Sequence, residues 1–444
     1  MEEPVEEKEE GGAIDSNFEL DNENKRTTSL LDLAHIAARA GPSSGMSSRS
    51  ALLTAARRVT SLGCNSAAAS TSFSSSAPDA ERGVSPLAFE MVEPHGLTPE
   101  ECSSAPIALV LHGLMGSGRN WRTWTRALSR RVTDEGVPWR FALVDNLWHG
   151  NTFGDSKLRA ARHPVAGSPF KSNKHPHAPC AVDLAADAVA AVAEHIKCMN
   201  GATGHPYPPH PPGFPPVAAI LGHSLGGKIA LRVLSKIVER DGLNGLNASS
   251  PQRTTLPRAQ WWTLDTVPSG VASKADPHGV RKVIDAVAKL PTQFESREEL
   301  KSLLLGNGNT FPKDLVDWLG TNLVPVDPKR GALSPLRWVF DVNGVSALYE
   351  AYERSDETAL KVVTNPQAPH ETHVVRAERS KRWDADVLDV LESANSNPSN
   401  SSNFHTLPNA GHWLHVDNPD GLRELIAPNL VRLGRELREW KEFK

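Results

Sequence analysis

The chain has 444 residues, a formal net charge of -4 and 39% hydrophobic residues. That length allows two average domains or one large α/β domain. No basic stripe points to nucleic acid, and no run of 18 apolar residues offers a membrane span.

The first residues are acidic, with six Glu among residues 1–10, and read as a solvated tail. From Leu33 to Pro78 there is no Asp or Glu. The stretch from Met46 to 78 is rich in Ser, Ala and Arg. Leu52, Leu53, Ala56 and Val59 fall on one side of a short helix, beside Arg57 and Arg58. Arg- and Ser-rich, acid-poor and amphipathic describes an organelle transit peptide. This places the protein in a mitochondrion or plastid, with translation starting at Met46. A linker in a cytoplasmic protein is the alternative. Residues 1–85 form this disordered extension.

From residue 86 the pattern becomes α/β. PIALVLHG (106–113) is an apolar strand closed by His-Gly, and residues 120–136 read as a helix stopped at Gly136. RFALVD (140–145) is the next strand and residues 181–200 an Ala/Val helix. VAAILG (217–222) is a strand and residues 225–242 a helix. QWWTLD (260–265), THVVRAE (372–378) and FHTLPNAGH (404–412) supply further strand ends. The last helix is kinked or restarted at Pro428. Continuous apolar strands alternating with helices predict a mostly parallel sheet covered on both faces. Residues 268–371 show helix-like pieces without strands between them and read as an inserted helical cap. The core is thus split into 86–267 and 372–444. Three Pro-, Ser- or Asn-rich stretches, 162–179, 201–216 and 393–403, read as surface loops.

Four cysteines stand at 64, 102, 180 and 198, without a Cys-x-x-Cys. That spacing fits neither a zinc site nor a disulfide framework, and suits a reducing compartment. The histidines of the first two loops are irregularly spaced and read as loop residues. No metal or organic cofactor is expected.

In such sheets chemistry gathers beyond the carboxyl ends of the strands. His112, Asp145, Ser224, Asp265, Glu378 and His412 fall there. GHSLG (222–226) is G-x-S-x-G between a strand and a helix, the context of a nucleophile elbow. Ser224 then occupies a strained backbone conformation. Gly222 and Gly226 leave room for the neighbouring helix and strand. A free serine needs a base, and His412 in PNAGHWLH supplies it. His415 is the competing histidine. The oxyanion donors expected are the backbone amides of Leu114, in HGLMGS, and of Leu225. The acid must orient the histidine. Three residues compete: Asp265 after the strand following the elbow, Glu378 after the strand before His412, and Asp341. Trp261, Trp262, Trp338 and Trp383 either line an acyl pocket or pack in the core.

LHGLMGSGRNW, GHSLGGKIA, TNLVPVD and TLPNAGHWLHVDNPDGL together resemble the α/β-hydrolase esterases typified by abhydrolase domain-containing protein eleven and its bacterial relatives. The likeness covers residues 86–440 between the insertions. It implies Ser224 and His412 as catalytic and favours Asp265 as the acid, with a serine, here Ser380, after the next strand. A cap acid described for the family aligns with Asn343, an amide that offers no carboxylate. The reading is a serine esterase or thioesterase acting on a small acyl substrate. The rivals are an acyltransferase and a partner-binding protein that protects an organellar complex.

Overall fold

The computed structural model describes residues 87–154, 181–201, 217–241, 259–269, 279–306, 311–354, 358–365, 370–397 and 402–442. The transit-like segment, the 162–179 loop, and nearly all of the 201–216 loop lie outside these residues.

Seven strands form the main sheet in the order β1-β3-β2-β4-β5-β9-β10. They are β1 (Phe89–Val92), β2 (Ile107–Leu111), β3 (Arg140–Val144), β4 (Val217–His223), β5 (Gln260–Leu264), β9 (Glu371–Ala377) and β10 (Ser402–Leu407). Only β1 runs antiparallel, as an edge strand on β3. Every residue of β2, β3 and β5 is buried, as a sheet covered on both faces requires.

The period-2 alternation sorts each strand between two layers. Ile107, Leu109 and Leu111 pack with helices Ala181–Gly201 and Leu225–Asp241. Ala108 and Val110 pack with helices Arg122–Asp134 and Pro419–Glu442. Pro428 sits inside the last helix, which neither stops nor restarts there. Asn429 Nδ2 donates to the Leu425 carbonyl beside the proline.

The cap differs from the all-helical expectation. Helices Val280–Ala288, Arg297–Leu305, Lys313–Thr321 and Val342–Glu353 are present, but so is a second sheet. It is antiparallel, in the order β6-β8-β7, from β6 (Gln293–Phe294), β7 (Leu323–Pro325) and β8 (Leu336–Trp338). Strands of two or three residues are too short to show alternation. Among the described residues the cap does not form a core of its own. Val283, Phe294, Leu300 and Leu348 join the apolar cluster that contains β2 and the helix after the elbow.

Candidate active site

Ser224 lies at the turn from β4 into helix Leu225–Asp241, with φ of +53°. This left-handed conformation is costly for a residue with a Cβ and persists where the surroundings over-determine it. The constraints are visible. The Ser224 amide donates to the Leu264 carbonyl at 3.0 Å. Thr266 Oγ1 donates to the Ser224 carbonyl at 2.9 Å. A Cβ on Gly222 would collide with the Gly226 backbone, and one on Gly226 with the Leu111 carbonyl of β2. The two glycines let helix, elbow and sheet close to contact distance.

Asp265, just past β5, is also left-handed, with φ of +46°, and fully buried. His412 Nδ1 donates to Asp265 Oδ2 at 2.7 Å. Three more donors converge on this carboxylate: Ser380 Oγ at 3.0 Å, Trp383 Nε1 at 2.9 Å and the Ala377 amide at 3.3 Å. Burial alone would raise its pKa. The bond and charge of His412, then Arg382 and Trp383, outweigh burial and hold it at about 2. Asp265 is therefore an anion held on every side, and the Nδ1–H tautomer of His412 follows. His412 and Ser224 line the same cavity.

The other candidate acids lie elsewhere. Glu378 is exposed and accepts from the Asn409 amide at 2.7 Å. Asp341 caps helix Val342–Glu353 through the Gly344 amide at 2.9 Å. Asn343 sits in the first turn of that helix. Asp145 accepts from the Gly118 and Asn151 amides and fastens two loops. His415 is stacked on Trp121 with ring centroids 4.0 Å apart. It borders the cavity, and burial pushes its pKa well below the usual histidine range.

The structure brings Leu114 and Leu225 to the cavity with Ser224. Their amides take no backbone partner among the described residues, whereas the next amide, of Met115, donates to His149 Nε2 at 3.0 Å. His149 in turn donates from Nδ1 to the Leu147 carbonyl at 2.9 Å. His112 braces the same loop, donating from Nδ1 to Gly113 O at 2.7 Å and accepting the Asn146 amide at Nε2. Burial keeps both rings neutral, and His149 falls to about 4. His223, next to the serine, donates from Nε2 to the His412 carbonyl at 2.7 Å and so ties the elbow to the His412 loop. Burial and the neighbouring His412 lower it to about 3.

The cavity measures about 820 Å³, within the usual range for a small-molecule site. None of the four tryptophans considered from sequence lines it. Trp262 stacks on His373 at 3.7 Å, Trp338 packs on Phe294 and Phe340, Trp261 joins the apolar core, and Trp383 holds Asp265. The indoles at the cavity are Trp121, Trp318 and Trp413. Trp318 comes from the cap, and sequence alone gave no sign of its approach. Arg382 and Tyr352 also reach the cavity unforeseen. Among the described residues no group of three or more His, Cys, Asp or Glu is placed to hold a metal ion. No described helix is long and apolar enough to cross a membrane.

A parallel sheet, a left-handed serine between two sterically required glycines, and a carboxylate–histidine pair beside it define a protein of the α/β-hydrolase class. The chain belongs to the alpha/beta hydrolase family, whose model matches residues 108–425. No curated protein matches. Solved structures similar to it include a marine microorganism esterase, at 16% identity, 78% coverage of this chain, 98% of that one and a TM-score of 0.45. Another is the peroxisomal alpha-beta-hydrolase Lpx1 of Saccharomyces cerevisiae, at 16% identity, 81% and 83% coverage and a TM-score of 0.44. A third is the thioesterase domain from the curacin biosynthetic pathway, at 15% identity, 77% and 98% coverage and a TM-score of 0.38. At these values the likenesses carry no argument about substrate.

Proposed function

We propose that the protein is a serine hydrolase of carboxylic esters or acyl thioesters, of the esterase group typified by abhydrolase domain-containing protein eleven. The observation that carries this reading is His412 bound to the buried Asp265 carboxylate at 2.7 Å on the cavity that holds the strained Ser224. Ser224 Oγ attacks the acyl carbonyl while His412 takes its proton. The amides of Leu114 and Leu225 hold the oxyanion. His412 then protonates the departing alcohol or thiol, and water, activated by the same ring, cleaves the acyl-enzyme. Asp265 keeps the tautomer and stabilises the imidazolium.

Covalent labelling by a fluorophosphonate probe, read by intact mass, tests this reading. Wild type gains one adduct and Ser224→Ala gains none. A folded wild type that is not labelled overturns the proposal and moves the partner-binding role forward. An acyl product on an added alcohol, in preference to water, would instead identify an acyltransferase. We also propose organellar import through the segment from Met46. A mature protein that begins at residue 1, by N-terminal sequencing, overturns that.

A further inference from the structure

Arg382 and Arg376 each carry a buried Nε without a hydrogen-bond partner, and of the two only Arg382 lines the cavity. Arg122, Arg140, Arg379 and Arg432 each pair with a carboxylate: Glu90, Glu93, Asp417 and Glu371 respectively. Arg382 makes no such pair among the described residues. Its charge is felt at the buried Tyr352, which shares the cavity wall. Its Nε is buried and has no hydrogen-bond partner. Yet the side chain lines the cavity that holds Ser224 and His412. Its charge is felt at both Asp265 and His223, which places it close to the reacting centre.

A buried N–H without an acceptor is costly, and Asp265, the anion whose charge Arg382 feels, spends its hydrogen bonds on His412, Ser380, Trp383 and the Ala377 amide, which leaves the Arg382 Nε unmatched. A guanidinium presents Nε and one terminal nitrogen as a fork that fits the two oxygens of a carboxylate. The two acidic side chains at the cavity do not fill this place. Asp417 accepts the Gly411 amide and pairs with Arg379. Asp314 belongs to the cap helix Lys313–Thr321. Val280, Val283, Trp318 and Tyr349 give the cavity an apolar and aromatic wall.

Resting on the esterase reading above, we infer that Arg382 selects an ester or thioester that also bears a carboxylate, a few bonds from the scissile carbonyl. Arg382 is then a specificity-determining residue, and a neutral acyl ester leaves its Nε unmatched.

The test uses matched esters. 4-Nitrophenyl hemisuccinate carries the carboxylate on the acyl side, and 4-nitrophenyl 4-methylpentanoate replaces it with an isopropyl group of the same shape. The acetate ester of 3-hydroxypropanoate carries it on the alcohol side, and isoamyl acetate is its neutral partner. Wild type is expected to prefer one anion over its neutral isostere by about 10- to 100-fold in kcat/KM, the scale of a charge-assisted hydrogen bond. The favoured pair tells which side of the ester faces Arg382. Arg382→Gln brings that ratio near one, chiefly through KM, and Arg382→Lys restores part of it. A rate loss common to both members of a pair reflects the charge beside Asp265 and does not move the ratio.

Binding of the same four compounds to Ser224→Ala and Ser224→Ala/Arg382→Gln, by calorimetry, needs no turnover. Neutral isosteres that bind as tightly as the anions, or a preference that survives Arg382→Gln, overturn the inference. Absence of fluorophosphonate labelling overturns the esterase reading alone, while the binding comparison still decides the role of Arg382.

Discussion

The main sheet carries two carboxylate–histidine pairs at opposite ends, one fully buried and one whose carboxylate is half-buried. At the carboxyl end, His412 Nδ1 donates to Asp265 Oδ2 at 2.7 Å. At the amino end, His373 Nε2 donates to Glu371 Oε1 at 2.9 Å. In both, burial works against the anion and the bonded histidine helps to restore it, and both carboxyl groups lie at about 2. What lies beyond the histidine differs. His412 faces a cavity with a left-handed serine. His373 accepts at Nδ1 from His405 Nε2 at 3.1 Å and lies flat against Trp262. Arg432 covers Glu371 from the surface. A perturbed carboxylate beside a histidine therefore marks a well-satisfied pair, and the cavity and strained turn are what separate the proposed catalytic pair from a brace.

The sharpest way to break this comparison is to neutralise both carboxylates. Asp265→Asn keeps the shape but offers His412 the wrong tautomer, and ester turnover should fall by about 10⁴. Glu371→Gln should leave kcat unchanged and lower the melting temperature, because Arg432 and His373 lose a shared charge. Equal losses of kcat in the two variants would mean that the distinction drawn from the cavity is false.

Much of the first pair was legible in the sequence. The elbow announces itself because a serine needs glycines two residues to either side for the turn to close. His412 follows an apolar strand on a Gly-containing loop, and Asp265 ends QWWTLD. The acid stayed open between Asp265, Glu378 and Asp341 because chain order does not reveal which carboxyl group faces the ring. Three of the donors that settle the geometry, Ala377, Ser380 and Trp383, come from a segment more than a hundred residues downstream. The cavity wall was not legible for the same reason. Trp318 and Tyr352 arrive on cap helices whose crossing over the sheet leaves no periodic trace. Nor does an indole in a strand reveal its face: Trp261 and Trp262 are neighbours and pack into opposite layers. Strand β1 carries no clear signal in the sequence because FEMV is short and mixed, as an edge strand can be.

A second break addresses the turn itself. Gly226→Ala drives a methyl group into the Leu111 carbonyl, where backbone meets backbone and neither side can yield cheaply. Overpacking of this kind costs about 3 kcal/mol at the upper end. Chemical denaturation should show that loss, and labelling of Ser224 should slow with it. A variant of full stability and full labelling would show that the elbow does not require contact between helix and sheet.

Trp383→Phe sharpens the comparison by removing one donor from Asp265 while keeping the aromatic packing. A hydrogen bond to a buried charge contributes about 2 kcal/mol. The expected outcome is that loss of stability, with labelling slowed less than in Asp265→Asn because His412 keeps its carboxylate. A Trp383→Phe protein as slow as Asp265→Asn would give the indole an active positioning role that its single 2.9 Å bond does not imply.

The smallest effect concerns the pair without a cavity. Burial, and then the nearby His373, lower His405 from 6.5 to about 4. The folded protein therefore holds this ring neutral at pH 5, while the unfolded chain protonates it. A lowered histidine pKa makes stability complete above about 6.5 and lost progressively as pH falls from there toward about 4. Replacing His405 by Phe keeps a flat ring against Trp262 and His373 but removes the titration. It also leaves His373 Nδ1 without its donor, so the variant is less stable at pH 7. Between pH 7 and pH 5, however, it should lose about 1 kcal/mol less than wild type, allowing for partial solvent exposure. Denaturation curves at the two pH values measure that difference. Its sign matters more than its size. A variant that loses more stability than wild type on acidification would mean that His405 is charged in the folded protein. The chain from His405 through His373 to Glu371 would then be a charged relay rather than a neutral brace.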